Sequence, residues 1–422
     1  MDPDHDHPIE LLSPAGDFAS LRAAIQSGAD SVYFGVGRLN MRLSSTKNFQ
    51  PQDLPEISKI CHENHIQAYL TLNTIIYDAD LEEMKDLVLR ARDTGIDALI
   101  ASDFSVIEYA NRQSIPVHIS TQANISNIEA LKFYSAFGDV VVLARELDLD
   151  EVKKITAQAE TLKLTGPSGK PIRIEAFIHG ALCMSVSGKC YLSLHEKNKS
   201  ANRGECMQLC RRGYTVTEKE EGYRLDIDTE YIMSPKDLST MLIFDRILES
   251  GIRLLKIEGR GRAPEYVKVV TSCYRQAIDD WKRGQFSFQR AQQLEEKLKT
   301  VYNRGFWQGY YFGSPSGEWN DRYGSSATKK KVYVGKGINY YQKAGVAEFL
   351  IEAQPLELGD EILIIGPTTG VLEDKIREIR VDDRPVEKAE KGMQCSFPVP
   401  EMVRISDKLY KWIPLENKNP QT

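Results

Sequence analysis

The feature that most constrains this chain is a unit that recurs from Ile9 to about Gly284: a short β-rich run, a polar or glycine turn, then an amphipathic helix. Eight strand candidates follow from it: Ile9 to Ser13, Ser31 to Val36, Gln67 to Leu72, Ala98 to Ala101, Pro116 to Ser120, Val140 to Ala144, Ile172 to Ile178 and Arg253 to Ile257. Between them, apolar residues fall at helical spacing, as in Leu81, Met84, Leu87, Val88 and Ala91, and several helices end at glycine (Gly28, Gly95, Gly138, Gly251). Near-continuously apolar strands alternating with helices require a parallel sheet covered on its outer face. Eight such units in roughly 280 residues point to closure into an α/β (β/α)8 TIM-like barrel. A doubly wound open sheet is the rival. It usually carries a Gly-rich nucleotide turn after its first strand, and Pro14-Ala15-Gly16-Asp17 is not one.

The period breaks once. Between the seventh strand, ending near His179, and a helix expected over Leu238 to Ser250 lies a Gly/Ser/Asn/Arg-rich insertion, placed at 180–230. Loops of that length inside a compact domain are usually functional, and this one starts at a strand's carboxyl end, the face where such barrels put their chemistry. Helices over Pro264 to Arg283 and Gln289 to Tyr302 complete a barrel domain at 9–304. An aromatic joint at 305–330 (Phe306, Trp307, Tyr310, Tyr311, Phe312, Trp319, Tyr323) is read as packing between domains in preference to base stacking. Residues 331–414 turn to short alternating strands with turn signals, a small C-terminal antiparallel β-barrel or sandwich. Residues 1–8 and 415–422 are read as a disordered N-terminus and a tail.

Composition limits the setting. Seven cysteines in 422 residues are too few for a secreted disulfide scaffold. No run approaches the about 20 apolar residues of a membrane span, and none follows Met1 to Pro8, so a soluble cytoplasmic protein is expected. With 54 Lys+Arg against 60 Asp+Glu the net charge is −6, so any nucleic acid must be held by a local basic patch.

Four of the seven cysteines crowd into the insertion: Cys183, Cys190, Cys206 and Cys210. Four thiolates suit either tetrahedral zinc or an iron–sulfur cluster. Structural zinc sites typically use two tight pairs, and only Cys206 and Cys210 are that close; the wider Cys183/Cys190 gap suits a cluster such as 4Fe–4S, while spacing alone leaves zinc open as the alternative. Cys61, Cys273 and Cys395 continue apolar stripes and read as packing residues.

The residues around the first cysteine pair carry a resemblance. Glu175-Ala-Phe177-Ile-His179-Gly180-Ala181-Leu182-Cys183, then Gly188-Lys189-Cys190-Tyr191-Leu192-Ser193, matches in full the signature of peptidase family U32. Asn202-Arg203-Gly204-Glu205-Cys206, Cys210-Arg211-Arg212, Lys256-Ile257-Glu258-Gly259-Arg260, Leu11 to Gly16 and Ile119 to Gln122 also resemble it. Within the family the chain is most similar to the TrhP-type tRNA hydroxylation members. That resemblance implies 5-hydroxyuridine formation at the tRNA wobble position, oxygen-independent and dependent on prephenate as hydroxyl donor and on iron–sulfur assembly machinery. Related members hydroxylate a quinone precursor or modify ribosomal RNA. The family name implies a peptidase, against which the residues speak. There is no Gly-x-Ser-x-Gly elbow, and His62-Glu63-Asn64-His65 is one residue short of the metalloprotease spacing. A dyad of His179 with Cys183 is conceivable and leaves three cysteines unexplained. A zinc-stapled RNA-binding module is a further alternative.

A barrel would gather Asn73, Asp103, Gln122, Arg145, Glu146, Glu175, His179, Glu258 and Arg260 at its carboxyl mouth. Arg145 and Arg260 are expected to grip a small carboxylate co-substrate bidentately, and His179 to shuttle protons near neutral pH, with Glu175 and Glu146 as further catalytic candidates and Asn73, Gln122 and Glu258 binding substrate. A salt-bridge network tying the barrel top is the plain alternative. Lys197, Lys199, Arg203, Arg211, Arg212, Lys329, Lys330 and Lys331 are the expected RNA contacts.

Overall fold

A computed structural model of the chain describes residues 8–44, 48–222, 224–225, 231, 233–313, 318–320 and 324–415. Eight parallel strands form the centre: β1 (Glu10–Pro14), β2 (Ser31–Gly35), β3 (Gln67–Leu72), β4 (Ala98–Ala101), β5 (Val117–Ile119), β6 (Val140–Val142), β7 (Arg173–Gly180) and β8 (Leu254–Ile257). Each pairs with the next in sequence, and β8 pairs with both β7 and β1, which closes the barrel. A helix follows each strand, and side chains such as Leu87, Val88 and Ala91 bury the inner helix faces against the strands. Asp17, Asn127 and Asp148 cap three of these helices by accepting backbone N–H bonds. Asp103, expected at the mouth, does the same for Phe104–Arg112 and also accepts from Ile76 N at 2.9 Å, so its carboxylate is spent on the backbone.

The helix expected over Leu238 to Ser250 is shorter, Phe244–Glu249. Its first residues instead form a strand, Asp237–Ser239, antiparallel to the end of β7, and Phe306–Trp307 adds beside it. Leu238 is buried with Val142 and Phe177, and Asp237 binds Arg304 at 3.2 Å. The helix expected to reach Tyr302 ends at Leu298. In the aromatic joint, Trp307 is buried and Tyr311 donates to Phe177 O at 2.8 Å, while Phe312 and Trp319 are exposed; Tyr323 lies outside the described residues. So do residues 1–7 and 416–422, on which the expectations of disordered ends fall.

The C-terminal region is an antiparallel eight-stranded sheet, in which Lys329–Tyr341 pairs with Val346–Ile351 and Lys408–Pro414, plus a separate two-stranded ladder. It packs on the helices Phe18–Gln26 and Pro264–Lys282, and Leu363 and Val371 join the barrel's hydrophobic core. Lys268 donates to Val371 O at 2.7 Å across the contact. No helix among the described residues is long and apolar enough to cross a membrane.

The insertion after β7 folds back over the mouth. Ile75 N donates to Asn202 O at 3.2 Å, Ser44 N to Gly204 O at 3.1 Å, and Arg203 binds Asp80 at 2.6 Å, so the loops after β2 and β3 hold it down.

Candidate active site

Beneath the insertion, at the carboxyl ends of the strands, lies a cavity of about 240 Å³. Its lining holds seven basic side chains and one acidic one, Glu258, and includes Cys183, Cys190, Cys206 and Cys210 on the insertion wall. An excess of cations at a barrel mouth favours an anionic ligand.

Lys256, Glu258 and Arg260 reach the cavity from the end of β8 with period two, the alternation of a barrel strand. Glu258 is buried, accepts from Arg42 Nε at 3.0 Å and from Tyr33 Oη at 3.1 Å. Burial pushes its pKa up, but the charges of Arg42, Arg145 and Arg260 outweigh burial and hold the carboxyl at about 2. Arg260 donates to Thr71 Oγ1 at 2.7 Å and to Asn40 Oδ1 at 3.2 Å; burial draws its pKa down to about 10, so it stays charged at neutral pH. Arg145 stacks over the Phe177 ring at 3.9 Å and donates to Ala181 O at 3.3 Å. The Nε atoms of Arg145 and Arg260 are buried with no hydrogen-bond partner among the described residues. Asn73 and Gln122 line the same cavity, 3.5 Å apart.

Glu258 makes a testable contribution to stability. Its pKa falls from an ordinary 4.5 to about 2 on folding, so its stabilisation is complete above pH 4.5 and is lost as pH falls through 2. That is about 3 kcal/mol. Urea unfolding between pH 6 and pH 2.5 is expected to show a steep fall for the wild type and a shallower one, from a lower start, for Glu258→Gln. Parallel curves would refute the assignment.

Other expected site residues lie elsewhere. His179 is 1% exposed, packed against Tyr274 and Phe306 outside the cavity lining, and burial lowers its pKa to about 3. It is therefore neutral at pH 7 and in no position to shuttle protons to the cavity. Glu146 is exposed to solvent away from the cavity. Glu175 lies below the cavity floor, fully buried and bound to Lys256 at 2.7 Å; burial raises its pKa against the opposing Lys256 charge. Arg42, Lys256 and Arg304 are charged lining residues that the sequence did not single out. Alternation from Glu258 was a signal for Lys256; Arg42 sits in an irregular loop and offers none.

The four cysteines share the cavity wall. Burial raises the Cys210 thiol to about 11, with Cys183, Cys206 and Cys190 adding to the rise against Arg211. As the side chains stand, no group of three or more His, Cys, Asp or Glu among the described residues is close enough to hold a metal ion. Cys61, Cys273 and Cys395 are buried in the cores.

The expected RNA contacts are largely engaged within the protein. Arg203 binds Asp80 and lies over Tyr77, Lys199 binds Glu205 at 2.8 Å, and Arg211 donates to Pro235 O at 2.6 Å. Lys329 pairs with Glu361 at 2.6 Å and Lys331 with Glu265 at 2.8 Å. Lys197, Arg212 and Lys330 are exposed.

The model of peptidase family U32 matches residues 16–321. The chain belongs to peptidase family U32. Among its relatives in the family, a protein of Porphyromonas gingivalis named collagenase is 54% identical over 404 residues, covering 96% of this chain and 98% of that one. The tRNA hydroxylation protein P1 of Bacillus subtilis is 31% identical over 366 residues, 85% of this chain and 83% of its own. A 23S rRNA 5-hydroxycytidine synthase of Escherichia coli is 38% identical over 274 residues, 65% of this chain and 40% of its own. The U32 barrel thus has relatives named for peptide cleavage and relatives named for RNA hydroxylation.

Proposed function

We propose that this U32 protein is an RNA-modifying enzyme that replaces the C5 hydrogen of a tRNA wobble uridine with hydroxyl, without molecular oxygen, using prephenate as co-substrate. The observation that carries the reading is the cavity itself: cation-rich, with two arginines holding unpaired buried Nε donors, beside a wall of four thiols. Two guanidinium groups with free donors are suited to a ligand with two carboxylates. The relatives named for tRNA and rRNA hydroxylation support an RNA substrate.

The thiol wall has the donor chemistry for an iron–sulfur cluster, and Cys183, Cys190, Cys206 and Cys210 would hold it. Such a cluster, delivered by iron–sulfur assembly machinery, supplies electron transfer when bound. Around it the chain's own residues do the positioning. Arg145 and Arg260 anchor the carboxylates, Glu258 keeps Arg42 in place, and the folded-back insertion restricts water.

A peptidase is the second reading, favoured by the 54% identity to the relative named collagenase. Against it, His179 lies outside the cavity where the thiols are, so no cysteine there has this histidine as its base. The readings separate cleanly. Deleting the gene in its host is expected to remove 5-hydroxyuridine from bulk tRNA, measured by mass spectrometry; unchanged modification with no paralogue present would refute the proposal. Cys206→Ala, purified without air, is expected to lose both visible iron–sulfur absorption and hydroxylation. A peptidase would instead cleave gelatin in an iron-independent, thiol-dependent manner.

A further inference from the structure

Around the cavity mouth the insertion turns apolar side chains to solvent. Met184, Val186, Tyr191, Leu194 and Met207 are all exposed, Tyr191 the most at 69%. Met184 and Val186 themselves line the cavity; Tyr191 stands between the lining residues Cys190 and Leu192, and Met207 between Cys206 and Gln208. Scattered single hydrophobics need no explanation on a protein surface, but a group on one segment beside one cavity marks a contact site.

The charge beside these side chains is predominantly basic. Lys189, Lys197 and Arg212 are exposed, and none forms an ion pair with a carboxylate among the described residues. Of the acids beside them, Glu205 is bound by Lys199 at 2.8 Å, while Glu196, 3.6 Å from His195, keeps a half-exposed carboxylate. Exposed apolar side chains beside cations that form no ion pair among the described residues fit a polyanion that carries flat apolar groups. An ordinary peptide brings no such charge.

We propose that this rim docks an unpaired stretch of RNA, with Tyr191 stacking on a base beside the one that enters the cavity and Lys189, Lys197 and Arg212 neutralising its phosphates. The inference rests on the reading of the protein as an RNA-modifying enzyme and names the form of its substrate. Bases in an A-form duplex are stacked inside and cannot meet a tyrosine face, whereas loop bases splay out to do so. The side chains involved are exposed, so their substitution leaves the barrel core untouched.

The test uses the full chain, purified without air, and fluorescence anisotropy with two probes: a short RNA stem-loop with uridine in its loop, and a blunt RNA duplex. The stem-loop is expected to bind more tightly than the duplex. Tyr191→Ala is expected to weaken stem-loop binding about 5- to 100-fold, and Tyr191→Phe to preserve it, since stacking requires only the ring. Lys197→Gln combined with Arg212→Gln is expected to reduce the slope of log affinity against log salt by about 0.7 for each phosphate no longer neutralised. Wild-type stem-loop binding that survives Tyr191→Ala with an unchanged salt slope in the lysine/arginine variant would overturn the rim and leave the RNA reading standing. Failure of the wild type to bind either probe would overturn both. Tyr191-dependent binding of a gelatin peptide without RNA binding would overturn the rim's assignment to RNA and favour the peptidase.

Discussion

Lys256→Met is expected to destabilise the barrel by about 3–5 kcal/mol, the range for breaking a buried ion pair from one side. The Lys256 ammonium and the Glu175 carboxylate lie 2.7 Å apart, with side chains 5% and 0% exposed. Tyr33 and Phe177 rings flank the ammonium at 4.6 and 5.4 Å. Glu175 Oε2 has no hydrogen-bond partner among the described residues, so Lys256 supplies most of the compensation the carboxylate has, with a smaller contribution from the Arg173 charge. Nearby, Arg173 is committed to Glu10 at 2.6 Å, and burial, followed by the charges of Lys256 and Arg173, holds His118 at a pKa of about 3, hence neutral. Neither replaces the lost cation.

Two features make this result specific to the pair. Burial raises the Glu175 pKa against the opposing Lys256 charge, and removing that charge lets it rise further, so the defect in Lys256→Met is expected to shrink as pH falls and the stranded carboxylate takes up a proton. Adding Glu175→Leu removes the stranded charge and is expected to recover much of the loss, since apolar groups of similar volume replace buried ion pairs at little cost. Urea unfolding at pH 8 and pH 5 of the wild type, the single variant and the double variant measures both. Equal destabilisation of the single and double variants, at both pH values, would refute the account.

The barrel was legible because its strands are buried on both faces and its helices on one, so both periodicities are written locally. All eight barrel strands overlap the positions read from the sequence. What was not legible depended on distant partners. Asp237–Ser239 is three residues long and becomes a strand through pairing with His179 and Gly180, far away in sequence. His179 illustrates the same limit. Alternation along β7 would carry Glu175 and Phe177 on to His179 on the inner face. The ladder to β8 shifts register between Lys256 and Ile257, and this irregularity turns His179 out toward Tyr274. Which of the basic residues stay free for a ligand was not legible, because a run of charge does not reveal its partners: Arg203 meets Asp80, and Lys331 meets Glu265, only once the chain is folded. The cysteines were found because four of them stand in one insertion whose position the strand period already marked.

Arg260→Gln is expected to lower kcat/KM for the anionic co-substrate by about 100- to 1,000-fold, within the 2–5 kcal/mol range for truncating a buried charge partner. The loss should fall mainly on KM, because the role proposed for the guanidinium is to anchor a carboxylate and not to react. Its place depends on a glycine. A Cβ added to Gly35 would stand 2.7 Å from Arg260 Nη1 and equally close to Asn40 Cγ, closer than real side chains approach. Gly35→Ala therefore keeps the charge and displaces it, and is expected to raise KM in the same direction by a smaller factor. Glu258 remains paired with Arg42 in both variants, so neither leaves that carboxylate stranded. Titration calorimetry with a dicarboxylate, run beside the kinetics, separates anchoring from chemistry. Unchanged dicarboxylate affinity in Arg260→Gln would remove this arginine from the anion site and leave Arg145 as its remaining anchor.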